Sequence, residues 1–189
     1  MKDIEVELKY RVKNKKGLLS WLNKHAKKAY EYHQIDEYFT RPDKNFFDKK
    51  IPDEYLRIRR SGMSYSIAYK LWYSTEEGEG THCDEYETDV KDGKQLEKIF
   101  KALEFKTLVI VDKKRAAYDY RNFEIAVDDV REVGVVCEIE IRGNFKSIDE
   151  AQAQIREMAM KLGFEEKDRS EDIKLGYALL IAKKKGLFS

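Results

Sequence analysis

The stretch Ile4-Glu5-Val6-Glu7-Leu8-Lys9-Tyr10 alternates between apolar and charged residues. Successive side chains of a β-strand point to opposite faces, so Glu5, Glu7 and Lys9 share one face of the predicted strand. Two carboxylates and an ammonium in one row are a costly way to build a core, because isolated charges are expensive to remove from water. The same row is well suited to holding a divalent cation beside an anion.

Charge is abundant along the whole chain but nearly balanced. The 189 residues include 37 Lys plus Arg and 36 Asp plus Glu, and charged residues make up 39% of the chain, well above the usual quarter. A net charge of +1 gives no argument for nucleic-acid binding. A hydrophobic content of 42% excludes a disordered chain, so we expect a single domain over residues 1–189.

The cysteines and the first residues favour a cytoplasmic protein. Cys83 and Cys137 lack metal-ligand spacing and are best interpreted as two reduced thiols. Lys2 and Asp3 give the chain a charged start, which argues against a signal peptide, and no apolar run approaches the length of a membrane span. We therefore expect no membrane partner, while a monomer and a homodimer both remain open.

Hydrophobic periodicity predicts eight or so antiparallel strands with helices inserted between them, an α+β domain. The predicted strands cover 3–13, 33–40, 54–60, 64–73, 82–91, 107–120, 122–131 and 135–143. The predicted helices cover 15–30, 92–105, 148–162 and 171–183, and the segments 41–53 and 74–81 are predicted to be flexible loops.

Like charges recur two residues apart on several of these strands. The pairs are Glu5/Glu7, Arg57/Arg59, Glu85/Glu87, Lys113/Arg115 and Glu138/Glu140. A sheet with one solvated face explains alternation by itself, but like charges in a row repel unless opposite charge lies between them. If the sheet closes into a barrel, both sets face one tunnel. The carboxylates then suit Mg²⁺ or Mn²⁺, and the basic rows suit phosphate oxygens.

The order of these motifs resembles the CYTH superfamily, the triphosphate tunnel enzymes that include class IV adenylyl cyclases and thiamine triphosphatases. The matching motifs are Glu5-x-Glu7-x-Lys9, Gln34–Phe39, Tyr55–Arg59, Tyr69-Lys70, Glu85-Tyr86-Glu87, Lys113–Arg115, Val127–Val130, Gly134 and Glu138-Ile139-Glu140. The Gln-x-Asp-x-Tyr-Phe and Val-Asp-Asp-Val stretches are most similar to the class IV cyclase-like branch.

The resemblance implies an eight-stranded antiparallel β-barrel with helices packed outside, and a role for each charged residue. The implied ligands of Mg²⁺ or Mn²⁺ are Glu5, Glu7, Asp128, Glu138 and Glu140. The implied triphosphate-binding residues are Lys9, Arg57, Arg59, Lys70, Lys113 and Arg115. Lys9 and Tyr38 are the implied catalytic pair that activates water, although Tyr38 could instead be a packed aromatic. Asp36, Glu85 and Glu87 are candidate supporting residues.

The activity that the resemblance implies is metal-dependent chemistry on a small-molecule triphosphate. The reaction is either hydrolysis of a nucleoside, thiamine or inorganic triphosphate, or cyclisation of ATP to cyclic AMP and pyrophosphate. Two other readings stay open: a module that binds polyphosphate or a nucleotide without turnover, and a protein-interaction domain with a charged surface.

Overall fold

One antiparallel sheet organises the molecule, with strands in the order β1-β6-β5-β4-β3-β7-β8-β9-β2. The structure, a computed structural model, describes residues 4–49, 51–75, 80–169, 171–174 and 176–187. Within them the strands are β1 Ile4–Glu5, β2 Glu7–Arg11, β3 Lys27–Thr40, β4 Glu54–Ser61, β5 Ser64–Ser74, β6 Gly80–Val90, β7 Lys106–Tyr120, β8 Phe123–Val130 and β9 Gly134–Ile141.

The first stretch of the chain closes this sheet into a barrel. β1 pairs with β6, whereas β2, which follows after Val6 alone, pairs with β9. The two edge strands of the sheet are therefore consecutive in the chain, and no open edge is left between them. This confirms the predicted antiparallel barrel. The count of nine described strands exceeds the expected eight because the strand is interrupted at Val6, where it changes partner.

Helices cover the outer face of the barrel and also close one of its ends. They are α1 Lys15–His25, α2 Gly93–Ala102, α3 Ile148–Lys161, α4 Glu171–Lys174 and α5 Tyr177–Lys184. The side chains of Asn14, Asp92 and Ser147 accept backbone N–H bonds at the starts of α1, α2 and α3, as good N-caps do. None of the described helices has both the length and the apolar character needed to cross a membrane.

The strand alternation separates an apolar outside from a charged inside. Val6, Leu8 and Ile139 project outward and form one core with Leu22 of α1 and Ile155 of α3. A second core lies inside one end of the barrel, where α5 packs against Val111 and Val130, which share the inner face with Lys113. Helices thus cover the outward apolar faces, and the charged inner faces line the part of the barrel that the second core leaves open.

Two predicted helices differ from the observed ones. The helix expected over 15–30 ends at His25, because residues from Lys27 onward extend β3 and pair with the second half of β7. The helix expected over 171–183 is two pieces, α4 and α5, around Gly176, whose φ of +80° does not belong to a helix.

Of the two predicted loops, the first is packed against the barrel and the centre of the second is not described. The segment 41–53 is anchored rather than free, since Phe46 and Phe47 are buried in the core that contains α5. Thr40 contributes to this, because its hydroxyl accepts the backbone N–H of Phe46 at 2.9 Å. The centre of the other loop, residues 76–79, lies outside the described residues.

Candidate functional site

A single cavity of about 240 Å³ collects the charged inner faces of the barrel. All five like-charge pairs line it, so these rows face a tunnel and not an ordinary solvated surface. The lining residues include the cations Lys9, Arg57, Arg59, Lys70, Lys113 and Arg115 and the carboxylates Glu5, Glu7, Glu85, Glu87, Glu138 and Glu140. Residues separated by more than a hundred positions in sequence therefore meet at one site.

Two arginines are held by aspartates that lie beneath the cavity wall. Arg59 donates from Nε and Nη2 to the carboxylate of Asp36 at 2.6 and 2.7 Å. Arg115 donates in the same forked way to Asp128 at 2.7 and 2.6 Å. Burial opposes ionisation of Asp36, but Arg59 and Lys113 hold its pKa well below the usual range. Each aspartate is thus a charged anchor that orients a guanidinium toward the cavity.

Asp128 has further partners and is completely buried. Lys113 donates to it at 3.4 Å and the hydroxyl of Tyr177 at 3.0 Å, in addition to the two bonds from Arg115. Although burial opposes ionisation, Arg115 and Lys113 keep the pKa of Asp128 low. In the structure both oxygens of Asp128 accept hydrogen bonds from protein side chains, and the metal-binding role implied for Asp128 stays a prediction.

The glutamates crowd together on the wall formed by β1, β2 and β9. Glu7 lies directly opposite Glu140, and Glu140 lies opposite Glu124 on β8. Burial and the neighbouring Glu138 raise the pKa of Glu7 to about 8, and burial and Glu5 raise the pKa of Glu140 to about 9. Carboxylates placed this close together repel one another, and a cation bound beside them would lower the pKa of both.

The donor set of this wall fits a hard divalent cation, because carboxylate oxygens are the ligands that Mg²⁺ and Mn²⁺ prefer. In the described part of the chain, however, no three such side chains converge on one point as a ready cage. The glutamates contact cations of the protein instead: Glu7 pairs with Lys9, Glu5 with Lys70, and Glu140 with Arg142 at 2.9 Å.

The cations on the β4–β5–β6 wall are paired in a similar way. Arg57 reaches Glu85 at 3.5 Å and Glu87 at 3.2 Å, and Lys70 reaches Glu85 at 3.2 Å. The Nε–H of Arg57 is buried and has no hydrogen-bond partner among the described residues. Glu85 and Glu87 are therefore ion-pair partners of the basic residues, and the supporting role in binding stays a prediction.

Lys113 differs from the other lysines of the tunnel. Burial and the adjacent Arg115 lower its pKa to about 8, whereas Glu7 keeps the pKa of Lys9 high although burial opposes this. The ammonium of Lys113 lies 5.2 Å from the centroid of the Tyr177 ring. An additional anion beside Lys113 would favour its charged form.

The predicted catalytic pair, Lys9 and Tyr38, lines the same cavity. Lys9 lies 3.5 Å from Glu138 and over the ring of Trp72 at 5.8 Å. Tyr38 packs edge-on against Tyr55 with 6.0 Å between ring centroids, and burial raises its pKa. The packing explanation for Tyr38 therefore has direct support, and its catalytic role stays a prediction.

Several lining residues were not among those predicted, and the polar ones include Glu124, Arg142 and Tyr177. Arg142 could have been found, because it continues the alternation of Glu138 and Glu140 by one more step. Tyr177 was assigned to the apolar side of a C-terminal helix, and only the packing of α5 against the barrel brings its hydroxyl to Asp128.

Comparison with known proteins agrees with this geometry. The chain belongs to the CYTH domain family, whose model matches residues 3–172. A Methanocaldococcus jannaschii protein named as a candidate adenylate cyclase is 30% identical over 166 residues, which cover 82% of this chain and 85% of that protein.

Solved structures share the fold along nearly the whole chain. A conserved hypothetical protein of Pyrococcus furiosus superposes with a TM-score of 0.77 at 27% identity, covering 93% of this chain and 99% of that chain. A candidate adenylyl cyclase of Hippeastrum, described as having a dominant triphosphatase activity, superposes with a TM-score of 0.62 at 16% identity, covering 97% of this chain and 95% of that chain. The second likeness shows the fold alone.

Proposed function

We propose that the protein is a metal-dependent enzyme that acts on a triphosphate inside the barrel. The observation that carries this proposal is the convergence of eight cationic side chains and a crowded glutamate wall on one cavity. Such a cavity is electrostatically suited to a polyanion that arrives with a cation. The name of the 30% identical relative, a candidate adenylate cyclase, points to the same substrate chemistry.

The basic residues would bind and orient the phosphates. Arg59 and Arg115 are pre-oriented by buried aspartates, so little conformational freedom is lost when they bind phosphate oxygens. The Nε–H of Arg57, which has no partner in the described part of the chain, could donate to an anionic oxygen. Lys9, Lys70 and Lys113 would add point charges around the same triphosphate.

Glu5, Glu7, Glu138 and Glu140 are the residues that we propose for Mg²⁺ or Mn²⁺. When bound, such a cation supplies positive charge that offsets the crowded carboxylates and the negative charge of the phosphates. We assign Asp128 to positioning Arg115, since its oxygens already accept bonds from three side chains.

Two reactions use this arrangement equally well. Phosphoryl transfer depends mainly on positioning and charge neutralisation, which the basic rows supply. Attack by water would hydrolyse the triphosphate, with Lys9 and Tyr38 proposed to orient that water. Attack by a ribose 3′-hydroxyl on the α-phosphate would instead release pyrophosphate and leave a cyclic nucleotide.

The test is a panel of triphosphates incubated with Mg²⁺ or Mn²⁺, in which phosphate, pyrophosphate and cyclic nucleotide are all measured. Glu138→Gln should lose at least tenfold in metal-dependent turnover, whereas Glu132→Gln, on an exposed turn outside the cavity, should behave as the wild type. Binding without turnover would favour the storage or sensing module. If the protein neither binds nor turns over any triphosphate of the panel, the proposed triphosphate site is refuted.

A further inference from the structure

One outer face of the barrel is not covered by any described helix. The helices α1 and α3 cover the outside of β2, β8 and β9, where Leu22 and Ile155 lie in the core. The helix α2 covers β3 and β4 through the buried Phe100. The outward side chains of β5 and β6 lie between these covered regions, and among them Tyr86 is 57% exposed and Tyr73 is 42% exposed.

The outward positions of β5 and β6 are almost free of charge. Lys70 and Glu85 line the cavity, so strand alternation points the neighbouring side chains outward. We call this outward set the aromatic face, and its members are Tyr65, Ile67, Tyr69, Leu71, Tyr73, His82, Asp84, Tyr86, Thr88 and Val90. At the chain average of 39%, about four of these ten positions would be Asp, Glu, Lys or Arg, whereas only Asp84 is. Depletion of charge with enrichment of tyrosine is typical of the buried centre of a protein interface.

The helix α2 forms a ridge along one side of the aromatic face. Lys94 and Glu97 line a groove together with Ile35 of β3, so this side of the helix faces β3. Ile99 and Leu103 are four residues apart on the opposite side of the helix, which faces β5. They are 53% and 57% exposed. The ridge therefore presents two exposed apolar side chains at the edge of the aromatic face.

The helix α3 bounds the aromatic face on its other side. Gln152 of α3 donates from Nε2 to the carbonyl of Thr81 on β6 at 3.0 Å. The aromatic face is thus the floor of a shallow valley between two helices. On this floor the rings of Tyr69 and Tyr86 stack at 9°, with 6.4 Å between centroids. Rings that already support one another lose little conformational freedom when a partner covers them.

We propose that the aromatic face and α2 form the interface between two copies of this chain, related by a two-fold axis. A ridge beside a valley is self-complementary, because a two-fold rotation lays α2 of each copy in the valley of the other. The face has too little charge to select a partner of opposite charge. A net charge of +1 per chain gives only weak repulsion between two copies.

The size of this surface suits a stable dimer. β5 and β6 have 11 residues each, which corresponds to a length of about 36 Å. The two strands and the adjoining helix are together roughly 20 Å wide, so each copy offers about 700 Å². A standard specific interface takes about 800 Å² from each partner. The inference is independent of the proposed function, because this surface lies outside the tunnel.

Sedimentation velocity on the full chain tests the proposal. Interfaces of this size have dissociation constants of about micromolar or tighter, so the wild type should be a dimer at about 50 μM. Tyr86→Asp and, separately, Ile99→Asp place a charge at the centre of the interface and should raise the dimer dissociation constant by about 30-fold or more. Both side chains are more than half exposed in a single copy, so each variant should fold as the wild type does, which circular dichroism checks.

Ile110→Asp is the matched control. Ile110 is 48% exposed on the outer face of β7, which β3 and β4 separate from β5. This variant should dimerise as the wild type does. A short bis-maleimide should link copies that carry Ile99→Cys to copies that carry Tyr86→Cys in preference to like copies. The chain's own thiols, Cys83 and Cys137, are buried and should not react.

Each contrary outcome overturns the inference. A wild type that is monomeric at about 50 μM would leave the aromatic face to a different protein partner. A dimer that neither aspartate variant weakens, or that Ile110→Asp weakens equally, would have its interface elsewhere. Cross-links between like copies alone would refute the placement of α2 in the valley. Triphosphate turnover enters none of these measurements, so failure of the proposed function leaves this inference standing.

Discussion

Replacing Asp128 with asparagine tests whether this buried carboxylate positions Arg115. Asp128 is completely buried, accepts two bonds from Arg115 at 2.7 and 2.6 Å, and accepts further bonds from Lys113 and Tyr177. Removing one partner of a buried ion pair typically costs about 3–5 kcal/mol, because the opposite charge stays buried. Asparagine keeps one acceptor oxygen, so we expect a loss of about 3 kcal/mol in the free energy of unfolding.

Asp129→Asn is a control one residue away. Asp129 faces outward and pairs with Lys15 at 2.8 Å, and both side chains are more than 40% exposed. A pair of this kind contributes less than about 1 kcal/mol. Urea unfolding at neutral pH measures both variants, and equal destabilisation by the two would refute the buried-anchor argument.

The same variant distinguishes a positioning role from a metal-binding role. If Asp128 orients Arg115, Asp128→Asn should weaken tripolyphosphate binding by about tenfold or more and leave Mn²⁺ binding in the absence of phosphate nearly unchanged. A loss confined to Mn²⁺ affinity would show that the metal role implied by the family resemblance is right and the positioning role is wrong.

Three other outcomes are expected. Arg59 holds the pKa of Asp36 low, so the stabilisation from this carboxylate is complete above the ordinary pKa of about 4 and is lost as pH falls through the folded-state pKa. Asp36→Asn should therefore weaken the pH dependence of the free energy of unfolding below about pH 4. An unchanged pH dependence in that range would contradict this prediction. Gly176 has φ +80° and ψ 164°, a region essentially restricted to glycine, so Gly176→Ala should cost about 1–3 kcal/mol in urea unfolding, and a neutral result would count against this strain. Phosphates compete with the carboxylates of the tunnel for the same lysines and arginines. Because Mn²⁺ bound to the carboxylates would free these cations, Mn²⁺ should raise the affinity for tripolyphosphate, and tripolyphosphate should raise the affinity for Mn²⁺ by the same factor. Calorimetry that shows independent binding would argue against a shared site.

Much of the site follows from strand alternation alone. Because side chains alternate strictly between the two faces of a strand, Arg57 shares a face with Arg59, and Glu138 shares a face with Glu140. Helices cover the opposite, apolar face, so these charged side chains lie inside. Closure into a barrel was implied by the resemblance to the CYTH superfamily, since a sheet with one solvated face explains the alternation equally well.

The rest depends on contacts that local patterns do not contain. Whether a carboxylate lines the cavity or lies beneath an arginine is decided by register between strands, which is why Asp128 has a different environment from Glu138. The interruption at Val6 arises because the strand has one neighbour before this residue and another after it. The contribution of Tyr177 depends on how α5 packs, and a helical apolar face predicts only that it packs somewhere.

The tunnel remains hollow because small residues separate its rows of charge. Arg57 and Glu87 lie on β4 and β6, and the residue level with both on β5 is Ala68. Similarly, Ala126 on β8 lies between Ala117 on β7 and Glu138 on β9. A larger side chain at Ala68 would fill the space through which the guanidinium of Arg57 reaches Glu87 at 3.2 Å. Barrels of about eight strands are just wide enough for side chains to fill, so alanine at these inward positions is what leaves volume for a ligand among the charges.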